Sequence, residues 1–323
     1  MQSLDHSTSR SEEMQDEEPE YHNDPIDTDA MVNAMSTQWT DAHIDSGVAS
    51  VAQWHAGIPN LGNTCYLASV VQALSASELL CNELHSDSDA PVSRLRQAMS
   101  ATITRLRSAS FRCVSIQHLF WEFKRKCPEF RLGQQHDAFH ALHCLFQCSG
   151  MLSVVGENSL LEFVTCRHNH ESLNSYYQCP GPLALKVPQN VADLSPEHRY
   201  VQLQSLLHSF FSDTQTRRDC HECGRERVQS EAHVRFLVTP PVLCLHITAV
   251  EEGNGERLRM PYVLQYEYTL DIKPWCADTS IAGPVLYDLV GIVEHIPDQQ
   301  QGCIYDMATG HYTARVRMAA CRR

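Results

Sequence analysis

The chain has 323 residues and carries 25 Lys and Arg against 39 Asp and Glu, a formal net charge of −14. That length holds one large domain or two small ones of roughly 100–200 residues, with enough chain to bury a core. The negative balance excludes the basic footprint that nucleic-acid binding needs. No run reaches the roughly 18–20 apolar residues of a membrane-spanning helix, so no membrane partner is expected.

The charge is uneven. Residues 1–50 hold one Arg and twelve Asp and Glu and lack periodic apolar positions, so they read as an acidic disordered tail acting as a solvated spacer. This polar start is unlike a secretory signal. Fourteen cysteines without such a signal suit the reducing interior of a cell, cytoplasm or nucleus. Most then serve as buried thiols, with some left for a metal site or a nucleophile.

From about residue 52 the composition turns globular. Tyr66, Leu67, Val70, Val71 and Leu74 follow Cys65 at helical spacing, with Asn63 or Thr64 as N-cap. Further helices are expected over 92–109, over 117–126, and from near Gln134 through Ala138, Ala141, Leu142, Leu145 and Phe146. Beyond residue 150 the runs shorten and become β-branched or alternating. Residues 160–164, 184–187, 232–238, 242–247, 262–272, 284–293 and 311–316 read as strands, with a helix over 201–211. Helices first and strands later make an α+β chain.

A cysteine at the first turn of a helix meets unpaired backbone N–H groups and the positive end of the dipole, both of which favour a thiolate. Cys65 stands there, behind Gly57-Ile58-Pro59-Asn60-Leu61-Gly62-Asn63-Thr64. The side-chain amide of Asn60 is a donor suited to a developing oxyanion. Far downstream, His311 in Gly310-His311-Tyr312 is a base of the kind a thiol nucleophile needs. Taken singly, each reads more readily as a structural residue.

The two segments together resemble the cysteine and histidine boxes of the ubiquitin-specific proteases, papain-like deubiquitinating enzymes. Asn60, Leu61, Gly62, Asn63, Thr64, Cys65, Tyr66, Ser69, Gln72 and Leu74 fit the first box; Tyr287, Leu289, His295, Gly310, His311, Tyr312 and Ala314 fit the second. Gln135-His136-Asp137-Ala138 and Pro240-Pro241-Val242-Leu243 resemble two further family segments in the same order. The resemblance implies an α+β papain-like cysteine protease with a helical thumb (about 52–154), β fingers (about 155–237) and a β palm (about 238–323). It implies that Cys65 is the nucleophile, His311 the general base and acid, and Asn60 the oxyanion donor. The substrate would be the isopeptide or peptide bond after ubiquitin's C-terminal glycine, with ubiquitin and ubiquitinated proteins as partners and no catalytic cofactor.

Three positions depart from the family pattern. His140 stands for a Glu and Ala249 for an Arg, and residues 312–323 contain no Asp, Asn or Glu where the family's histidine-orienting residue would fall. An inactive or weak ubiquitin-binding relative, a protease for a ubiquitin-like modifier, and a scaffold using the tail and fingers are therefore the alternatives.

Cys220-x₂-Cys223 is a spacing at which two thiolates share one zinc. The resemblance implies a second pair in the fingers some 40–50 residues upstream. Cys166 sits there, with Asn169 at the partner position and His168 and His170 beside it. The expected structural zinc set is Cys166, His170, Cys220 and Cys223, with His168 and Cys179 as further candidates and plain thiols as the alternative. Cys144 and Cys148, one helical turn apart, read as buried core thiols.

Overall fold

The computed structural model describes residues 56–86, 93–108, 110–155, 160–177, 182–188, 200–248, 250–253, 256–259, 262–296, 305–306 and 310–317. The expected tail over 1–50 and Cys179 lie outside the described residues.

Five helices come first: α1 (Cys65–Leu74), α2 (Glu78–His85), α3 (Arg94–Arg107), α4 (Gln117–Lys126) and α5 (Ala138–Ser149). Tyr66, Leu67, Val70 and Val71 of α1 are all buried, which makes it the central helix of this part. The others present one apolar stripe each: Leu95, Met99, Ile103 and Leu106 on α3, Leu119, Phe120 and Phe123 on α4. Phe123 and Phe130 pack with ring centroids 4.7 Å apart, and each buried aromatic of this core contributes about 1.5–3 kcal/mol of transfer free energy.

Side-chain caps set the helix starts. The Asp137 carboxylate accepts the His140 backbone N–H at 2.7 Å, so α5 begins at Ala138 and not at Gln134. Gly150, at φ 74°, closes its other end in the left-handed conformation. Helix α2 was not expected from the sequence. Its signal was present: Ser77 Oγ accepts the Leu80 N–H at 3.3 Å, and Leu80, Cys81 and Leu84 form its buried face.

The strands follow: β1 (Leu160–Cys166), β2 (Glu171–Tyr177), β3 (Leu183–Lys186) and β4 (Tyr200–Gln202), then helix α6 (Leu203–Phe210). Next come β5 (Thr214–Cys220), β6 (Arg225–Phe236), β7 (Leu245–Thr248), β8 (Val250–Gly253) and β9 (Glu256–Arg259). The last are β10 (Val263–Gln265), β11 (Thr269–Asp271), β12 (Leu286–Asp288), β13 (Gly291–Ile296), β14 (Tyr305–Asp306) and β15 (His311–Val316). One antiparallel sheet has the order β2-β1-β6-β5; β13 pairs with β15 antiparallel, and β3 with β7 parallel.

Two expected strands are each divided. Residues 262–272 give β10, which pairs with β4, and β11, which pairs with β12. Residues 284–293 give β12 and the start of β13, because Leu289 N–H turns to the Tyr268 carbonyl (2.8 Å) while the Val290 carbonyl accepts Arg317 N–H (2.8 Å). Alternation along a run shows that it is extended, not where its partner changes.

A second core lies under the later strands, built from Leu185, Leu207, Phe211, Phe236, Ile272 and Trp275. The helical part and the β13–β15 pair meet closely. A Cβ on Gly291 would stand 3.1 Å from Ala73 of α1, closer than ordinary contact, so glycine lets that strand lie on the helix without displacing it. Tyr312 and Val293 complete the contact from the strand side.

Candidate active site

Cys65 is the first residue of α1 and is 6% exposed. The approach to it is held by a short-range network. Asn60 Oδ1 accepts the Thr64 backbone N–H at 2.9 Å, and Thr64 Oγ1 accepts the Leu61 N–H at 3.0 Å. Thr64 is the N-cap by position, yet its own side chain makes no cap bond; its N–H is met by Asn60 four residues back. With Oδ1 committed, the amide of Asn60 presents its NH₂ end as the donor, and the residue is exposed. Gly62 (φ 99°) and Asn63 (φ 54°) take the left-handed turn that delivers the chain into the helix.

His311 opens β15 opposite Ile296 of β13 and is exposed. Helix α1 packs across both strands. The loop between α4 and α5 touches the two candidate catalytic segments in turn. Gly133 donates its N–H to the Gly62 carbonyl (3.1 Å), and its own carbonyl accepts Asn63 Nδ2 (2.8 Å). Two residues on, Gln135 Nε2 donates to the Gly310 carbonyl at 3.0 Å. Asp137 then accepts the Tyr312 hydroxyl at 3.4 Å. His136 stiffens this strap: burial pushes its titration down, and its Nε2 accepts the Arg131 N–H at 3.0 Å.

Sequence reasoning placed Gln135 in a family segment but assigned it no role. Its signal was an amide two residues past Gly133, in a loop just ahead of the capping carboxylate of Asp137. Gln135→Ala is expected to cost about 1 kcal/mol of stability and to lower kcat more than it raises KM. Gln135→Glu, which keeps the length and loses the donor, should behave alike. Steady-state kinetics of both variants check this, and a pure KM effect would contradict it.

The Cys166, His170, Cys220 and Cys223 ligand atoms lie within 4.8 Å of one another. Cys166 closes β1 and the other two cysteines bracket the β5–β6 turn; β1 and β6 are neighbours in the sheet. Turns with Asn169 at φ 63° and Gly224 at φ 60° fold each tip back. A tetrahedral zinc with usual bond lengths sets sulfur–sulfur edges of about 3.8 Å and sulfur–nitrogen edges of about 3.5 Å. The Cys166–Cys223 separation is 3.7 Å, and His170 Nδ1 lies 3.2 Å from Cys223 and 3.8 Å from Cys220. The cluster therefore fits the metal. His168 Nδ1 also reaches Cys223, at 3.1 Å, while its backbone N–H donates to Cys166 Sγ at 3.4 Å. That N–H···S bond is the usual outer support of a metal thiolate.

A family model, ubiquitin carboxyl-terminal hydrolase, matches residues 56–322. The chain belongs to that family. Among ubiquitin carboxyl-terminal hydrolases, it is 24% identical to number 23 of Arabidopsis thaliana over 291 residues, covering 82% of this chain and 32% of the relative. It is 24% identical to number 3 of Mus musculus over 326 residues, covering 80% of this chain and 61% of the relative. The chain thus spans less than two thirds of the length of either relative. A solved structure of the SAGA Ubp8/Sgf11/Sus1/Sgf73 DUB module bound to ubiquitin aldehyde superposes with TM-score 0.63 at 17% identity, covering 90% of this chain and 68% of that one. The α+β papain-like fold implied by the cysteine and histidine segments is the fold that the chain adopts.

Proposed function

We propose that the protein is a thiol-dependent deubiquitinase that cleaves the bond following ubiquitin's C-terminal glycine. The observation that carries this reading is the strap of residues 131–137. It ties the turn before Cys65 to the residue before His311. Relatives named for ubiquitin hydrolysis and a ubiquitin-bound neighbour in fold support the choice of substrate.

In this mechanism His311 takes the Cys65 proton, and the sulfur adds to the scissile carbonyl carbon. The Asn60 NH₂ donates to the oxyanion. Collapse expels the lysine or α-amine, which receives the proton from the His311 imidazolium, and leaves ubiquitin as a thioester on Cys65. His311 then deprotonates water, the hydroxide displaces the thiolate, and ubiquitin leaves with a free carboxylate. The helical part to about 154 acts as the thumb, 155–237 as the fingers and the remainder as the palm. Cys166, His170, Cys220 and Cys223 hold a structural zinc that ties the two finger tips together; it takes no part in the chemistry.

A ubiquitin probe bearing a C-terminal electrophile tests this reading. Wild-type protein is expected to gain the mass of one ubiquitin. Folded protein that binds ubiquitin and stays unlabelled would make it a non-catalytic ubiquitin-binding relative. Labelling only by a probe built on another modifier would change the substrate and keep the chemistry.

A further inference from the structure

A second group of metal-ligating side chains lies between α4 and α5 and shares no residue with the sites above. Helix α4 ends at Lys126, and the turn Cys127-Pro128-Glu129-Phe130 follows, closed by the Phe130 N–H on the Cys127 carbonyl at 3.2 Å. Cys144 and Cys148 lie on one face of α5, a turn apart. Cys127 Sγ is 3.5 Å from Cys148 Sγ, and Cys144 Sγ is 4.0 Å from Glu129 Oε1. The ligand atoms of Cys127, Glu129 and Cys144 all lie within 4.8 Å of one another.

We propose that Cys127, Glu129 and Cys144, with Cys148 beside Cys127, form a second zinc site, in the helical part of the protein. Three thiols alone would read as core packing, and Cys127 and Cys144 are indeed buried. A carboxylate turned onto them is not explained by packing, since core thiols ordinarily rest against apolar groups. Two sulfurs and one oxygen supply three protein donors within 4.8 Å of one another, and because Glu129 is exposed a water can take the fourth position of a tetrahedral zinc. Soft thiolates with one hard oxygen favour zinc over calcium or magnesium, which take all-oxygen sets. His140 Nε2 lies 3.9 Å from Glu129 Oε1 on the solvent side. Binding displaces the two thiol protons of Cys127 and Cys144 to solvent and leaves every oxidation state unchanged. The ion would join the end of α4 to α5, the helix whose N-cap Asp137 accepts the Tyr312 hydroxyl.

Zinc per chain, measured by elemental mass spectrometry on the purified full chain, tests this. The wild type is expected to hold two zinc ions, Cys223→Ser one and Cys144→Ala one. Glu129 is exposed, so Glu129→Gln should fold even where Cys144→Ala does not. In Glu129→Gln one zinc should pass to a chromogenic chelator at least about tenfold faster than in wild type. A wild type holding one zinc that is lost in Cys144→Ala and kept in Cys223→Ser would support this site and remove the one in the fingers. Zinc content and release unchanged in both Cys144→Ala and Glu129→Gln would overturn the proposal. So would a Cys127–Cys148 disulfide found by peptide mapping of freshly isolated protein.

Discussion

Cys65→Ala is expected to lower turnover of a fluorogenic ubiquitin substrate by at least about four orders of magnitude, while ubiquitin binding survives. The asymmetry follows from position. Cys65 starts α1, and its neighbours Tyr66 and Leu67 are fully buried, so the helix is held by packing and not by the sulfur. The entrance turn is likewise fixed by Asn60 and Thr64. Removing one sulfur atom leaves that frame in place and takes away the only group of the proposed mechanism that forms the covalent bond. His311→Ala should cost a similar factor, because its exposed ring contributes little to the fold and supplies both proton transfers. Rates and ubiquitin affinity measured together separate the two effects. A Cys65→Ala protein that retained turnover would end the assignment of Cys65.

Gly310→Ala is expected to destabilise the protein by about 3 kcal/mol and to abolish labelling by the electrophilic probe. Gly310 has φ 126°, a conformation that side-chain-bearing residues rarely adopt. An added Cβ would lie 2.6 Å from the Ile296 carbonyl and 2.7 Å from His295 Nε2, inside any real contact distance. Ile296 and His295 are the register partners of His311 and Tyr312, so relief of the clash must move His311 itself. Gly150→Ala is the control. Gly150 also has positive φ, but nothing lies within 4 Å of its added Cβ. It should therefore show the conformational cost alone, about 1 kcal/mol, with labelling intact. Urea unfolding of both variants tests the difference; equal losses would mean that the crowding at Gly310 has no effect.

Elements with a regular apolar face are legible in the order of the residues alone. Helix α4 spans the expected 117–126, since Leu119, Phe120 and Phe123 recur at the helical period, and β15 spans the expected 311–316 although its burial does not alternate. The nucleophile, histidine and fingers candidates are legible there too, because their motifs are short and local. Strands β2 and β5 went unseen. In β5 every residue but Thr216 and Cys220 is exposed, so no alternation announces it, and its place is fixed by pairing with β6 and by the Cys/His tips.

Which distant residues meet is set by packing between elements. Spacing around Asn169 left His168 and His170 open, and it is the backbone turn at that residue that brings His170 within reach of both Cys220 and Cys223. The strap from Gly62 to Gly310 joins residues far apart in sequence through a loop without periodic character. Cys127 meets Cys148 only because α4 ends where the following turn folds back onto α5. Periodicity reports the environment of one element at a time. Contacts across elements depend on how those elements pack, and that is set by the summed burial of both cores.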